Sequence, residues 1–136
     1  MGAGLGSFQA IGLSVLQRVY IVDDDEAVRD SLRSLLESHA FDVEDFASGP
    51  AFLDRYSADL QGCLILDVNM PDIDGFEVMN RLGPPRGEFP VLMMTARGDP
   101  AIETRARDAG AVAFIRKPFV ARRLIELVRG ATGSQP

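Results

Sequence analysis

Cys63-Leu64-Ile65-Leu66-Asp67-Val68-Asn69-Met70-Pro71-Asp72-Ile73-Asp74-Gly75 runs from an unbroken apolar stretch into one aspartate and then at once into a Pro/Gly loop. The four apolar residues lie between Gly62 and the Met70-Pro71-Asp72 turn. That is too short for a helix and suits a central strand of a parallel sheet, buried on both faces. In open α/β sheets chemistry collects at the carboxyl ends of strands, so this strand is expected to hand Asp67 to solvent at a functional edge. Aspartate is also an ordinary turn residue, so its meaning depends on what other strands bring to that edge.

Outward from this strand, apolar runs alternate with helix-period segments from Arg18 onward, the pattern of five βα units on a parallel sheet. Val19-Tyr20-Ile21-Val22 reads as the first strand, followed by Asp23-Asp24-Asp25-Glu26 and a helix with Val28, Leu32, Leu35 and Leu36 inward. Asp42-Val43-Glu44-Asp45-Phe46 is polar enough for an edge strand, and its helix presents Phe52, Leu53 and Tyr56. After the Asp67 strand, Phe76, Met79 and Leu82 mark a third helix that Gly83-Pro84-Pro85 ends. Pro90-Val91-Leu92-Met93-Met94 is the fourth strand, and Ile102, Ala106 and Ala109 give its helix a small apolar face. Gly110 closes that helix and Ala113-Phe114-Ile115 is the fifth strand. Beyond the Lys117-Pro118 turn, Val120, Leu124, Leu127 and Val128 predict an amphipathic last helix.

A chain of 136 residues is one domain with room for a real core. Its single cysteine, Cys63, sits within an apolar run and reads as a small core hydrophobe in a reducing cytosol, not a ligand or nucleophile. Fourteen basic against twenty acidic residues give a net charge of -6, which argues against direct contact with nucleic acid. Residues 1–17 are uncharged and broken by Gly2, Gly4, Gly6 and Gly12, which fits neither a secretory signal nor a membrane span. Leu5, Phe8, Ile11 and Val15 approach helical spacing, so this extension reads either as an amphipathic segment or as a cloning-derived or misassigned start. The domain proper is expected over 18–131, with 132–136 opening a linker or tail.

Collected by strand, the carboxyl edge carries Asp23 and Asp24 from the first, Asp67 from the third, Thr95 from the fourth and Lys117 from the fifth. Crowded carboxylates repel one another and call for a hard divalent cation. Mg²⁺ suits such a set, taking a few carboxylates plus an oxygen such as the Asn69 backbone carbonyl. A lysine and a hydroxyl opposite them suit phosphoryl oxygens, with Asp67 as the nucleophile that becomes an acyl phosphate.

Val22-Asp23-Asp24, Leu66-Asp67-Val68-Asn69-Met70-Pro71-Asp72-Ile73-Asp74-Gly75, Met94-Thr95-Ala96 and Lys117-Pro118-Phe119 together resemble the CheY-like receiver domain of bacterial two-component response regulators. The match runs from about Val19 to Arg129 and is specific as a set. The resemblance implies a flavodoxin-like doubly wound sheet of five parallel strands in the order 2-1-3-4-5 with five helices. It also implies phosphorylation of Asp67 by a histidine kinase or phosphotransfer protein, a Mg²⁺ requirement with Mn²⁺ as a substitute, and a cis Lys117-Pro118 bond. Thr95 and Phe114 would be the switch pair, coupling Asp67 to the face of the fourth helix, fifth strand and fifth helix. That face would serve an output module or a phosphorylation-dependent homodimer, with Arg105, Arg116 and Arg123 as candidate contacts. Lys117-Pro118-Phe119 and Gly110-Ala111-Val112-Ala113-Phe114 look most like receivers that precede a helix-turn-helix output module, hence transcription regulation.

Ordinary readings compete at other positions. Asp25 and Glu26 suit the first helix's start better than an ion, and His39, the single histidine, falls near a helix end as a surface residue. The rival function is a Mg²⁺-dependent phosphatase or phosphotransferase with an aspartyl intermediate. It wants a general acid two places beyond the nucleophile, where this chain has Asn69. A degenerate receiver that binds a partner without phosphorylation is opposed by the complete set of Asp23, Asp24, Asp67, Thr95 and Lys117.

Overall fold

The computed structural model describes residues 16–83, 89–96 and 98–133. The reading of Leu5, Phe8, Ile11 and Val15 as an amphipathic segment, the Pro84-Pro85 stop and the last residues of the tail lie outside them.

The strands are β1 (Arg18–Val22), β2 (Asp42–Phe46), β3 (Cys63–Asp67), β4 (Val91–Thr95) and β5 (Ala113–Arg116), all parallel, in the order β2-β1-β3-β4-β5. Among the described residues they alternate with α1 (Glu26–Ser38), α2 (Gly49–Arg55), α3 (Gly75–Leu82), α4 (Pro100–Asp108) and α5 (Ala121–Thr132). This is the expected flavodoxin-like topology.

Two cores follow from the two-residue period of the strands. Val19, Ile21, Cys63, Ile65, Leu92, Met94 and Ile115 face α1 and α5, whose Leu32, Leu36, Leu124, Ile125 and Val128 are buried against them. Tyr20, Val22, Leu64, Leu66, Val91 and Met93 face α2, α3 and α4 through Phe52, Phe76, Val78, Met79 and Ala106. A strand covered on both sides is apolar on both faces, which is why β3 and β4 read as unbroken runs up to Asp67 and Thr95 at their carboxyl ends. Edge strand β2 instead carries Asp42, Glu44 and Asp45, paired with Arg18, Arg55 and Arg33.

The helices start where capping residues allow. Asp25, Ser48, Asp74 and Asp99 each accept a hydrogen bond from a first-turn amide of α1, α2, α3 and α4. α5 departs from expectation: Val120 precedes the helix as its N-cap and is 68 % exposed, while Ile125 joins Leu124 and Val128 in the buried stripe. The helix begins only at Ala121, so the 3.6-residue period counts from there and leaves Val120 outside.

α1 ends in a motif that normally uses glycine. Phe41 N–H donates to Leu36 O and Ala40 N–H to Glu37 O, both at 3.1 Å. Ala40 carries φ 68° in this Schellman arrangement. An L-residue is strained there, so Ala40→Gly is expected to raise stability by about 0.5–1 kcal/mol in urea unfolding. An unchanged or lower midpoint contradicts this account of the helix end.

Candidate functional site: the carboxyl edge of the sheet

The register aligns the strand ends. Val22 lies beside Leu66 and Asp67 beside Met94, while Thr95 lies beside Arg116. Asp23 N–H still donates to Phe46 O (3.1 Å), Val68 N–H to Met94 O (2.8 Å) and Lys117 N–H to Thr95 O (2.8 Å). The ladder therefore holds the backbone at Asp23, Asp67, Thr95 and Lys117. Strand parity does the rest. Positions 23, 67 and 117 continue the face of Ile21, Ile65 and Ile115, so their side chains converge over the α1 and α5 side. β4 stands between β3 and β5, and beyond Met94 its next residue on that face is the small Ala96. The long stem of Lys117 spans this gap, with Nζ 2.8 Å from Asp23 Oδ2 and 3.3 Å from Asp67 Oδ1.

Asp23, Asp24 and Asp67 each offer a carboxylate oxygen within 4.8 Å of one another. Asp24 is exposed, whereas Asp67 is 4 % exposed, so the strand does not hand Asp67 to open solvent as its turn position suggested. Two contacts close over it. Lys117 covers one side, and the β3–α3 loop folds back on the other, where Gly75 N–H donates to Val68 O (2.8 Å). A Cβ on Gly75 would lie 2.5 Å from the Asp67 carbonyl oxygen, so this close return needs glycine.

Burial, and next the Asp23 carboxylate, push the Asp67 acid up to about 6, against the opposing pull of Lys117. Burial alone would pull the Lys117 ammonium down, but the adjacent Asp23 and Asp67 carboxylates hold it above its ordinary value. The lysine does not fully satisfy its partners: Asp23 Oδ2 is buried and receives no hydrogen bond of acceptable direction, despite the short Nζ distance. A buried carboxylate oxygen without a directed donor, beside two further carboxylates, fits a hard divalent cation.

Asn69 and Thr95 meet at the same edge, Asn69 Nδ2 donating to Thr95 Oγ1 at 3.3 Å. Thr95 is fully buried. Phe114 is half-buried on the face of Met93 and Thr95, with Ala106 of α4 in the same cluster. It also lines a groove of about 370 Å³ with Val112, Arg123 and Leu127. The Lys117-Pro118 bond is cis.

Comparison with known proteins gives the edge its family. A family model described as the response regulator receiver domain matches residues 19–129. The chain belongs to this family. Transcriptional regulatory protein FixJ of Bradyrhizobium diazoefficiens is 42 % identical over 113 residues, covering 83 % of this chain and 55 % of that protein. Response regulator protein TodT of Pseudomonas putida is 38 % identical over 118 residues, covering 87 % of this chain and 52 % of that one. The receiver chain thus spans about half the length of these curated relatives. Among solved structures, full-length FixJ from B. japonicum matches with TM-score 0.79 at 40 % identity, over 88 % of this chain and 60 % of that one. A CheY-like receiver domain protein from Methanospirillum hungatei JF-1 matches with TM-score 0.80 at 28 % identity, over 88 % and 95 %.

Within this receiver, Asp23, Asp24, Asp67 and Lys117 come together as the sequence suggested, and Thr95 sits beside Asn69. Asp25 caps α1 through Ala27 N–H (2.9 Å) and His39 is an exposed helix end. Cys63 is buried, its thiol pushed up to about 12, which leaves it unreactive at neutral pH. Of the candidate contact arginines, Arg105 is exposed and lays its guanidinium 4.0 Å from the centre of the Phe76 ring. Arg116 lies 3.9 Å from Glu103 and Arg123 3.9 Å from Glu126.

Two features escaped the sequence reading. One is the hydrogen bond from the Asn69 side chain to Thr95, since Asn69 was read for its backbone carbonyl and as the absence of a general acid. The other is Arg29, whose Nη1 donates to the Asp23 carbonyl at 2.7 Å. Nothing in the spacing of a helical arginine marks it as part of a strand end.

Proposed function

We propose that this receiver is a phosphoacceptor in a phosphorelay, with Asp67 taking a phosphoryl group from a histidine kinase or phosphotransfer protein. The observation that carries the reading is the convergence of Asp23, Asp24 and Asp67 within 4.8 Å, with Lys117 Nζ 3.3 Å from Asp67 Oδ1. An Asp67 oxygen attacks phosphorus, the P–N bond to the donor histidine breaks, and the imidazole leaves with the electron pair and takes up a proton. The product is an acyl phosphate, which water later hydrolyses. The domain acts on no other substrate and catalyses only its own phosphorylation and dephosphorylation.

Mg²⁺, replaceable by Mn²⁺, would be held by Asp23, Asp24, Asp67 and the Asn69 carbonyl, and supplies neutralisation of the phosphoryl charge. Lys117 neutralises one phosphoryl oxygen and the Thr95 hydroxyl donates to another. To do so Thr95 leaves Asn69, and Phe114 moves into the space it vacates. α4 buries only Ala106 fully, so it shifts at small cost and changes the α4-β5-α5 face. That face would control an output module, in keeping with the transcriptional regulation named in FixJ, or form a phosphorylation-dependent homodimer. We place the receiver unit at residues 18–131, in the cytoplasm. Direct contact with nucleic acid is disfavoured by the net charge of -6, and among the described residues no helix is long and apolar enough to cross a membrane.

The test is labelling by acetyl phosphate, read as added mass on the intact protein. One phosphoryl group is expected with Mg²⁺ and none in excess chelator, and Asp24→Ala should label poorly. Full labelling in chelator, or full labelling of Asp24→Ala, overturns the cation assignment.

A further inference from the structure

We infer that Arg29 is a positioning residue for the acidic pair, holding the Asp23 backbone so that one carboxylate oxygen is left for the site. Asp23 stands where the β1 ladder ends, and each of its polar atoms has a distinct neighbour. Its N–H donates to Phe46 O at 3.1 Å, the last rung toward β2. Its carbonyl accepts from Arg29 Nη1 at 2.7 Å, a short charge-assisted bond. Its Oδ1 accepts from Asp25 N–H at 2.9 Å. Oδ2 is the atom that remains, buried and beside Lys117.

Arg29 is itself held in place. Its side chain is 15 % exposed and its Nε lies 3.5 Å from Asp45 Oδ2 of β2. Asp45 is gripped a second time by Arg33 Nη2 at 2.9 Å. The guanidinium therefore bridges α1, the β1 end and β2, with its charge already answered by Asp45. A planar fork can serve a carbonyl and a carboxylate at once, whereas a lysine at this position has a single nitrogen for both. Groups one step behind a metal ligand commonly alter affinity about 10–100-fold when removed.

This rests on reading the acidic cluster as a cation site, and the sign of one measurement separates positioning from charge. Deleting a cation near three carboxylates should, by Coulomb's law alone, tighten Mg²⁺ binding. Loss of a positioning contact should weaken it. Mg²⁺ titration calorimetry on the wild-type chain, Arg29→Met and Arg29→Lys is expected to show affinity about tenfold lower for Met, with Lys between. A second arm needs no metal: in chelator, exchange of the Asp25 amide by NMR should accelerate in Arg29→Met by more than its loss of global stability, measured by urea unfolding, accounts for. Unchanged or tighter Mg²⁺ binding, or an Asp25 amide that follows global unfolding alone, overturns the inference. Should the wild type bind no Mg²⁺, the cation reading fails and the amide arm decides Arg29's role by itself.

Discussion

Asp67→Asn should lose all phosphoryl acceptance and yet make the metal-free domain more stable at pH 7.5. The carboxyl is pushed up to about 6 from an ordinary 3.8, first by burial and then by Asp23. A group whose folded pKa lies above its unfolded value favours the protonated folded state. Its contribution is fully present below the unfolded value and is lost as pH rises through about 6. At about 1.4 kcal/mol per unit, ionisation of Asp67 costs the folded state about 1–3 kcal/mol at neutral pH. Asparagine keeps the shape without the charge. Urea unfolding in chelator should therefore show wild-type stability rising as pH falls from 7.5 toward 5, with the rise reduced in Asp67→Asn. Equal stability at pH 7.5 would mean that Asp67 is solvated or fully paired, contrary to its burial.

Lys117→Met should move stability the other way. It removes the ammonium 2.8 Å from Asp23 and 3.3 Å from Asp67, leaving two buried carboxylates without their cation. Breaking one partner of a buried ion pair costs about 3–5 kcal/mol, and partial exposure of the lysine places the expected loss at about 3 kcal/mol in chelator at pH 7.5. The same change strips a competing positive charge from the carboxylates. Mg²⁺ should bind the variant more tightly and restore more stability to it than to the wild type. A loss below about 0.5 kcal/mol, as for a solvated surface pair, would show that Lys117 does not hold the acidic pocket together.

The sheet was legible because its strands obey simple rules. β3 and β4 are apolar up to their last residues, Asp67 and Thr95, since helices cover both faces, and β2 advertises its edge with Asp42, Glu44 and Asp45. The carboxyl-edge residues followed from that, because a parallel sheet brings the ends of all its strands to one side. Asp25 was readable as a cap from its place before an amphipathic run. What escaped depends on tertiary approach. Asp67 is buried because Gly75 returns to Val68 and Lys117 reaches across β4, distances that no local pattern contains. The Asn69–Thr95 bond joins residues 26 apart, and Arg29 contacts a strand end from a helical position that reads as solvated charge. Val120 failed for a smaller reason, since helical periodicity cannot say on which residue a helix begins.

If Asp67 alone accepts the phosphoryl group, mapping the modified residue will place it there and nowhere else. The chain is incubated with acetyl phosphate and Mg²⁺, the acyl phosphate is trapped by borohydride reduction, and the digest is sequenced by mass spectrometry. The trapped product should fall on Asp67, vanish in Asp67→Ala and persist in Asp25→Ala. A product on Asp23, Asp24 or Asp25, or labelling that survives in Asp67→Ala, would contradict the account.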